Sequence, residues 1–390
     1  MAGYQASYDY ANTIRDLSEA FKIIVKQIPT LSALIGAPIV GMDGNPIVAR
    51  ATKHEWLEDT ASPQSFTVND TRAIAGGTLV LTSTVGVKAG MVFGFRSALG
   101  ASKTVQLIVS SVTNGTDLAV AVYGGSTDVQ LVATDVAFLI GTPKNESTSP
   151  DPVNGYEPTA VYNYTQIFDR TAKVSKTAEA VRLYGIASAL DYQVTHQLWR
   201  LAYEMNNAII YGRRVLRDGS NPGSMNGILA YMEAVSGNQV DASGAAISPS
   251  LLNDGFEQGF ANGATAMRTI VCAENQARKI SGFNSSGNNP IITRDEKMAG
   301  SYVTSFVSDL PIGGQGQVSQ IVVDPNFPKD KVLLLDVSQI GVVPLQGRQF
   351  TDVDAAGNGD DFFARRVLGE YTLEFRNAAT NHIELKNLEL

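Results

Sequence analysis

Three textures of hydrophobic and polar positions divide the chain, and the first is helical. In residues 16–25, Leu17, Ala20, Phe21, Ile24 and Val25 recur at steps of three and four, the spacing that places side chains on one helix face. Ile28-Pro29 ends this stripe, because proline disfavours helix in the residue before it. A helix this short is marginal alone and needs a surface to lie on, in this chain or in a neighbour. A longer stripe follows mid-chain. Leu190, Val194, Leu198, Leu201, Met205 and Ile209 predict one face of a helix over residues 187–213, with Ser188 as N-cap and Gly212 at its stop. At about 1.5 Å per residue that helix runs roughly 40 Å.

The second texture covers residues 65–141. Short β-branched runs at 78–81, 91–95, 105–109 and 118–123 are separated by glycines. Asn114-Gly115 predicts a hairpin, since both residues tolerate positive φ. Gly76-Gly77 and Gly124-Gly125 predict further turns. Together these runs predict a separate all-β domain, a partly closed barrel, with residues 144–158 as its exit linker. Extended segments flank it at 47–59 and 161–171, so the β domain reads as inserted between two segments that could pair as a long hairpin.

The remainder alternates. Ser248-Pro249 opens a helix as N-cap and first residue, with Leu252, Phe256 and Phe260 on one side. A strand (268–273) and a helix (274–283) follow, then strands at 302–307, 318–323, 332–335 and 340–344. The tail, 362–390, reads as two strands around a turn at 377–381.

Composition narrows the function more than the fold. A chain of 390 residues can form two or three packed units. Charged residues are only 17%, below the usual quarter, so much surface is expected to be buried, within units or against copies of the chain. The net charge of −8 argues against tight binding of a phosphate backbone, which needs clustered Lys and Arg. It allows a wall that encloses nucleic acid without sticking to it. The one cysteine, Cys272, excludes an intrachain disulfide and, in an apolar run, reads as a small buried hydrophobe. No run is long and apolar enough to span a bilayer, and the first residues lack the basic and apolar regions of a secretory signal. Folding in a cytoplasm is expected.

Segments that begin like catalytic or metal-binding motifs do not complete them. His54-Glu55-Trp56-Leu57-Glu58 begins like a zinc-protease helix but lacks the second histidine. His196 reads as a surface or packing residue. Asp352-Val353-Asp354-Ala355-Ala356-Gly357 begins like a calcium loop, yet Ala356 and Phe363 occupy ligand positions. Gly313-Gly314-Gln315-Gly316 has no following lysine and reads as a hairpin tip. No Gly-x-Ser-x-Gly elbow occurs. These gaps favour a structural or binding protein over an enzyme, with no metal and no cofactor.

Four segments carry a resemblance. They are Lys53-His54-Glu55-Trp56-Leu57-Glu58-Asp59, residues 163–175 (Asn163-Tyr164-Thr165-Gln166-Ile167-Phe168-Asp169 onward), Gln197-Leu198-Trp199-Arg200-Leu201, and Gly369-Glu370-Tyr371-Thr372-Leu373-Glu374-Phe375-Arg376-Asn377. They resemble the SU-ten-type family of tailed-phage major capsid proteins, and the element order resembles the Hong Kong 97 fold. The resemblance implies an α+β fold with an N-terminal arm (1–46), E-loop arms (47–64 and 159–180) lying over a neighbour, and an inserted β-barrel-like domain with its linker (65–158). It further implies a peripheral domain with a spine helix (181–226), an axial domain (227–345) at capsomer centres, and peripheral return strands (346–390).

By the same resemblance, the protein self-assembles as hexamers and pentamers of an icosahedral head shell around double-stranded DNA, without sequence-specific binding and without a membrane. It is made and assembled in the bacterial host cytoplasm. A portal protein is an implied partner, and a separate scaffold is another, because only a short arm precedes the E-loop. No covalent cross-linking is expected. Arg50, Lys53, Glu55, Trp56, Glu58, Asp59, Asp169, Arg170, Lys173 and Lys176 are candidate intersubunit contacts; the bland alternative for the charges is a solvated strand face. The insert is expected to face outward and brace subunits in place of a cement protein.

Three other readings compete. An encapsulin-type nanocompartment shares the fold, and would contain cargo enzyme rather than DNA. A phage tail or carbohydrate-binding β protein would form tubes or fibres, and fits the long mid-chain helix poorly. A hydrolase with a cryptic site would show activity in a screen.

Overall fold

The structure is a computed structural model that describes residues 30–35, 46–59, 65–73, 77–125, 130–144, 146, 158–181, 188–264, 266–283, 305–312 and 315–390. The helical stripe of residues 16–25 lies outside the described residues, as does the Gly313-Gly314 tip. The chain divides into two compact units, Leu57–Thr159 and the remainder, Met1–Trp56 with Ala160–Leu390. The first described elements are a short helix α1 (Thr30–Ile35) and strand β1 (Lys53–Glu58).

The unit Leu57–Thr159 is all β. Its strands are β2 (Ser65–Thr67), β3 (Arg72–Ala73), β4 (Gly77–Val80), β5 (Val92–Arg96), β6 (Ser102–Val112), β7 (Asp117–Gly125), β8 (Gln130–Leu131) and β9 (Val136–Gly141). Six of them form an antiparallel sheet in the order β2-β9-β5-β6-β7-β4, and β3 pairs β8. Just beyond β2 and β4, Val68 and Leu81 bridge. The Asn69 N–H donates to the Val80 carbonyl and the Thr82 N–H to the Thr67 carbonyl, each at 2.9 Å. These bonds close the sheet on itself. Strand alternation sends Val105, Leu107 and Val109 of β6 inward, where they meet Phe93, Phe95, Leu79 and Leu118.

Two glycine-containing dipeptides behave differently from the sequence expectation. The Asn114-Gly115 hairpin forms between β6 and β7, but neither residue has positive φ. Instead the Asn114 side-chain oxygen accepts from the Thr116 N–H (2.8 Å) and the Asp117 N–H (2.7 Å), an Asx-type cap on the turn. Gly124-Gly125 is no turn. Both lie within β7, where the register to β6 shifts, a bulge. Gly125 has φ +88°, and a Cβ there would sit 1.5 Å from the Thr104 carbonyl oxygen.

Among the described residues, the other unit contains a four-stranded and a six-stranded sheet, the β1 pairing described next, and five further α-helices. Strand β10 (Thr159–Tyr164) pairs β1. Strand β11 (Gln166–Ser175) leads to helices α2 (Lys176–Ala180), α3 (Ala189–Tyr211) and α4 (Ile228–Ala234). Then come β12 (Gln239–Asp241), α5 (Pro249–Ala261), β13 (Thr269–Cys272), α6 (Glu274–Ser281), β14 (Ser305–Ile312), β15 (Gln315–Val323), β16 (Val332–Leu335), β17 (Ile340–Pro344), β18 (Thr351–Asp354), β19 (Phe362–Phe375) and β20 (Ile383–Lys386).

Strand β19 is the centre of a four-stranded sheet with β11, β17 and β18. The expected long hairpin of the two extended segments is limited to β1 with β10. Strand β11 pairs along its length with β19 instead, from Gln166↔Tyr371 to Ser175↔Phe362. In this pairing Phe168 and Ala172 turn inward and join the core of α3 and β19. The cap on α3 matches the sequence reading. Ser188 Oγ accepts from the Asp191 N–H at 3.1 Å, and Gly212 follows the last turn. Val194, Leu201 and Ile209 of the stripe are buried, but Leu198 is 47% exposed.

The second sheet runs β12-β20-β16-β13-β15-β14 and mixes parallel and antiparallel pairs. The two tail strands therefore do not pair with each other: β19 belongs to the first sheet and β20 to the second. The reversal at Asn377, which has positive φ, passes the chain from one sheet to the next. Ser248 caps α5 by accepting from the Leu251 N–H at 3.2 Å, with Pro249 first in the helix. Leu252 and Phe256 are buried as expected, whereas Phe260 is 56% exposed. Steps of four residues drift by about 40° on a helix of 3.6 residues per turn, and by the second step the side chain has left the core. Gly259 faces the core there, with the Met267 sulfur within 2.7 Å of where its Cβ would be. Cys272 is buried in β13, and burial pushes its thiol up to about 12.

Gly125→Ala is expected to destabilise the β unit by at least about 2 kcal/mol through strained φ and backbone overlap. Gly115→Ala, which meets nothing within 4 Å, is the matched control and should change little. Denaturant unfolding of the two variants checks this.

Candidate assembly site

The functional surface of this chain has to be found without the usual markers of chemistry. Among the described residues, no three His, Cys, Asp or Glu side chains are arranged to hold a metal, and no helix is long and apolar enough to cross a membrane. His54, His196 and His382 lie apart in the sequence and do different things. His196 packs edge-on against Tyr192 at 4.6 Å. His382 is fully buried and stacked on Phe375 at 4.3 Å. Its Nδ1 accepts from the Asp336 N–H at 3.3 Å, so Nε2 carries the proton and donates to the Arg376 carbonyl at 3.0 Å. That arrangement suits neutral imidazole, and burial pushes the group down to about 4.

The most built polar structure lies along β19. Strand alternation puts Tyr371, Leu373 and Phe375 on the face shared with α3, and Glu370, Thr372 and Glu374 on the other. All three polar residues are buried. Each has partners from β1, β10 or a following loop. Glu370 Oε1 accepts from Thr165 Oγ1 (2.7 Å) and Arg217 (3.2 Å), and its Oε2 meets Arg348 at 2.9 Å. Thr372 Oγ1 donates to the Tyr164 carbonyl at 3.0 Å. Glu374 holds Arg376 (2.6 Å) and His54 Nε2 (3.1 Å). Asn163, also buried, donates to the Leu373 carbonyl at 2.7 Å and accepts from the Asn226 N–H at 2.7 Å. Burial raises the Glu374 carboxyl, but His54 and Arg376 outweigh it and hold the group below the usual range.

A second polar hub fixes α1. Asp324 Oδ2 accepts from the Leu31 N–H (3.1 Å), Thr30 Oγ1 (3.1 Å) and Asn206 Nδ2 (3.0 Å). The Asn206 oxygen accepts from the Ser32 N–H at 2.8 Å. This ties the start of α1 to the C-terminal part of α3. Beside the hub is an apolar groove of about 370 Å³, walled by Ala33 of α1, Leu198, Leu201, Ala202 and Met205 of α3, and Phe350.

The arm residues singled out in the sequence fall into two groups. Trp56 is 5% exposed and packs near Tyr231 in its own core. Asp169 pairs with Arg366, Arg170 with Glu204, and the Lys173 ammonium sits 3.4 Å from the Phe362 ring centre. Lys176 donates to the Asp360 carbonyl at 2.6 Å. All these partners belong to the same chain. Lys53 pairs with Glu55 on the exposed side of β1. Arg50 and Asp59 are exposed and Glu58 is half-buried. The buried polar residues Glu370, Glu374, Asn163, Asn206 and Asp324 are absent from the candidate contacts read from sequence, although three of them lie in the segments that carry the resemblance. The only signal was polar alternation in 370–374, which in isolation reads as a solvated face.

The family model of the SU10 major capsid protein matches residues 4–389. The chain belongs to that family. It is a structural protein of the phage head shell. Among solved structures, this capsid protein is similar to the capsid of cyanophage A-1(L), at 12% identity, covering 99% of both chains with a TM-score of 0.53. It is also similar to the capsid of the empty GTA particle, at 9% identity, covering 98% of this chain and 97% of that one, TM-score 0.51. The encapsulin of the holo-SrpI complex from Synechococcus elongatus PCC 7942 matches at 16% identity over 60% of this chain and 76% of its own, TM-score 0.42. No curated protein matches the chain. Likeness at these identities shows the fold, which is the mixed α and β, Hong Kong 97-like fold of phage capsid subunits. In a capsid protein the two polar hubs are joints: they attach β1, β10 and α1 to the body of the subunit.

Glu370→Ala is expected to cost about 2–3 kcal/mol, because Thr165 and two arginines lose their shared acceptor. Asp59→Ala should stay within about 0.5 kcal/mol. Chemical denaturation of the two variants compares them.

The pH dependence follows from two lowered values. Neutral His382 contributes stability that is present above the unfolded value of 6.5 and is lost as pH falls toward about 4. The loss is on the order of 3 kcal/mol. Glu374 contributes above the carboxylate value of 4.5 and loses its share below it, as pH falls through its folded value. His382→Gln should flatten stability between pH 6.5 and 4 and leave the steeper loss below pH 4.5. Unfolding curves across that range give the answer.

Proposed function

We propose that this capsid protein builds an icosahedral shell of hexamers and pentamers around double-stranded DNA, with residues 47–64 and 159–180 as arms over a neighbouring subunit. Residues 65–158 brace the shell from outside in place of a cement protein. Residues 181–226 and 346–390 form the peripheral part, and 227–345 the part at capsomer centres. The family match over residues 4–389 carries this reading. A separate scaffold and a portal protein complete the assembly in the bacterial cytoplasm. The net charge of −8 suits a wall that contains DNA without holding it by sequence.

The division of labour along the arms follows from their partners. Exposed Arg50, Lys53, Glu55 and Asp59, with half-buried Glu58, reach neighbours. Trp56, Asp169, Arg170, Lys173 and Lys176 hold the arms to their own subunit through the contacts above. Exposed ion pairs give only about 0–1 kcal/mol each, so shell cohesion comes from many weak contacts acting together. The brace reading is supported by the separate core of the unit Leu57–Thr159 and by the pairing of β1 and β10, the strands at its two chain ends.

Electron microscopy of the purified assembly should show icosahedral shells containing DNA; tubes or fibres would refute the arrangement. Replacing residues 65–141 by a short linker should leave shells that disrupt at lower temperature, and an unchanged disruption temperature would remove the bracing role.

A further inference from the structure

We propose that the hairpin at residues 213–224 of one copy seats on the β18–β19 tip, residues 353–363, of the next copy, head to tail. The hairpin is exposed along residues 213–222 yet closely built. Val215 and Ser224 exchange both backbone hydrogen bonds, at 3.1 and 3.2 Å. Asp218 caps the turn by accepting from the N–H groups of Ser220 and Asn221. Its apolar pair nevertheless faces out: Val215 is 39% and Leu216 55% exposed. Beside it two cations share one ring, with Arg214 4.0 Å and Lys53 4.3 Å from the centre of Tyr162. The nearby carboxylates are taken. Arg213 holds Glu233, Arg217 and Arg348 share Glu370, and Lys53 meets Glu55. Arg214 is left with the ring and the carbonyl of Tyr162.

The tip has the opposite charge and the same apolar character. Val353 is 51% and Phe363 41% exposed. Among the described residues, no ion pair joins Asp354, Asp360 or Asp361 to a cation of this chain. The closest cations are engaged elsewhere: Arg365 with Asp352 and Asp191, and Arg366 with Asp169. Lys176 donates to the Asp360 carbonyl and not to its carboxylate.

The two patches lie too far apart to meet within one chain. Arg213 lies just past the last residue of α3, whereas Asp191, which meets Arg365 behind the tip, is in its first turn. From Asp191 to Tyr211 the helix advances about 30 Å, several Debye lengths at physiological salt. Complementary patches at opposite ends make a heterologous contact, which can close into a ring of copies. Either patch set against itself about a two-fold axis would bring like charges together. The apolar pairs favour a second copy over the phosphates of a nucleic acid, which offer charge alone. The proposal rests on the reading of Lys53 as a neighbour contact and gives it a partner.

Charge exchange in the full-length chain tests the contact. Lys53→Glu with Arg214→Glu reverses the hairpin end, and Asp354→Lys with Asp361→Lys reverses the tip. Either reversal alone should lower the yield of assembled particles, measured by sedimentation, at least about tenfold. All four substitutions together restore opposite charges across the contact, and the yield should return to within about threefold of the unaltered chain. Damage to folding would accumulate in that chain instead of cancelling. An unchanged yield in either single reversal, or no recovery in the combined chain, overturns the proposal. Electron micrographs separate this contact from the shell arrangement. Tubes that show the same loss and recovery would refute the icosahedral arrangement and support the contact; shells indifferent to both reversals would do the opposite.

Discussion

Strand β19 imposes the constraint on which the larger unit depends: it must bury an apolar face and a charged face at once. Leu373 and Phe375 need α3 and its neighbours. Glu370 and Glu374 need cations and hydroxyls, because a carboxylate removed from water without partners costs several kcal/mol. Those partners come from His54 on β1, Thr165 beside β10, the Arg217 loop and the Arg348 turn. No local segment can satisfy the strand. Its two faces draw together parts of the chain separated by up to 320 residues, so the parts become ordered together.

Much of the local structure was legible in the sequence because it rests on local causes. Ser188 and Ser248 cap the helices they were expected to cap, since an N-cap needs only an oxygen and a free N–H two or three residues on. Strand positions in the second half follow their β-branched runs for the same reason. Pairing was less legible. Alternation tells which residues of β11 turn inward but not that β19 is the partner, and it cannot tell that β19 and β20 enter different sheets. Gly124-Gly125 reads as a turn from sequence; its pairing with Gln106 and Val105 of β6 makes it strand, and that is a tertiary fact. Phe260 was misplaced by treating steps of four as a straight line on a helix.

The candidate contacts show the same limit. Charges on an extended arm look available from sequence, yet Asp169 and Arg170 are engaged by Arg366 and Glu204 of their own chain. The buried carboxylates escaped notice because Glu-x-Thr-x-Glu alternates like a strand with one wet face. Only when β1 and β10 are laid over that face does it become interior. In a shell subunit this makes sense of the chemistry: the buried ionisable groups are engaged with partners of their own chain and serve attachment. Family membership supplied the role, and the geometry supplies the joints by which the role is performed.

Closure of the β2-to-β4 sheet has a consequence for a protein that must reach very high local concentration. A sheet with an open rim offers unpaired N–H and carbonyl groups as a template for strand addition by another copy. In the six-stranded sheet, Val68 and Leu81 join the two terminal strands through two backbone hydrogen bonds, so that template is absent. In this unit, crowding along a growing shell therefore offers no rim of that sheet to a second copy, and contacts made by its barrel wall are left to side chains.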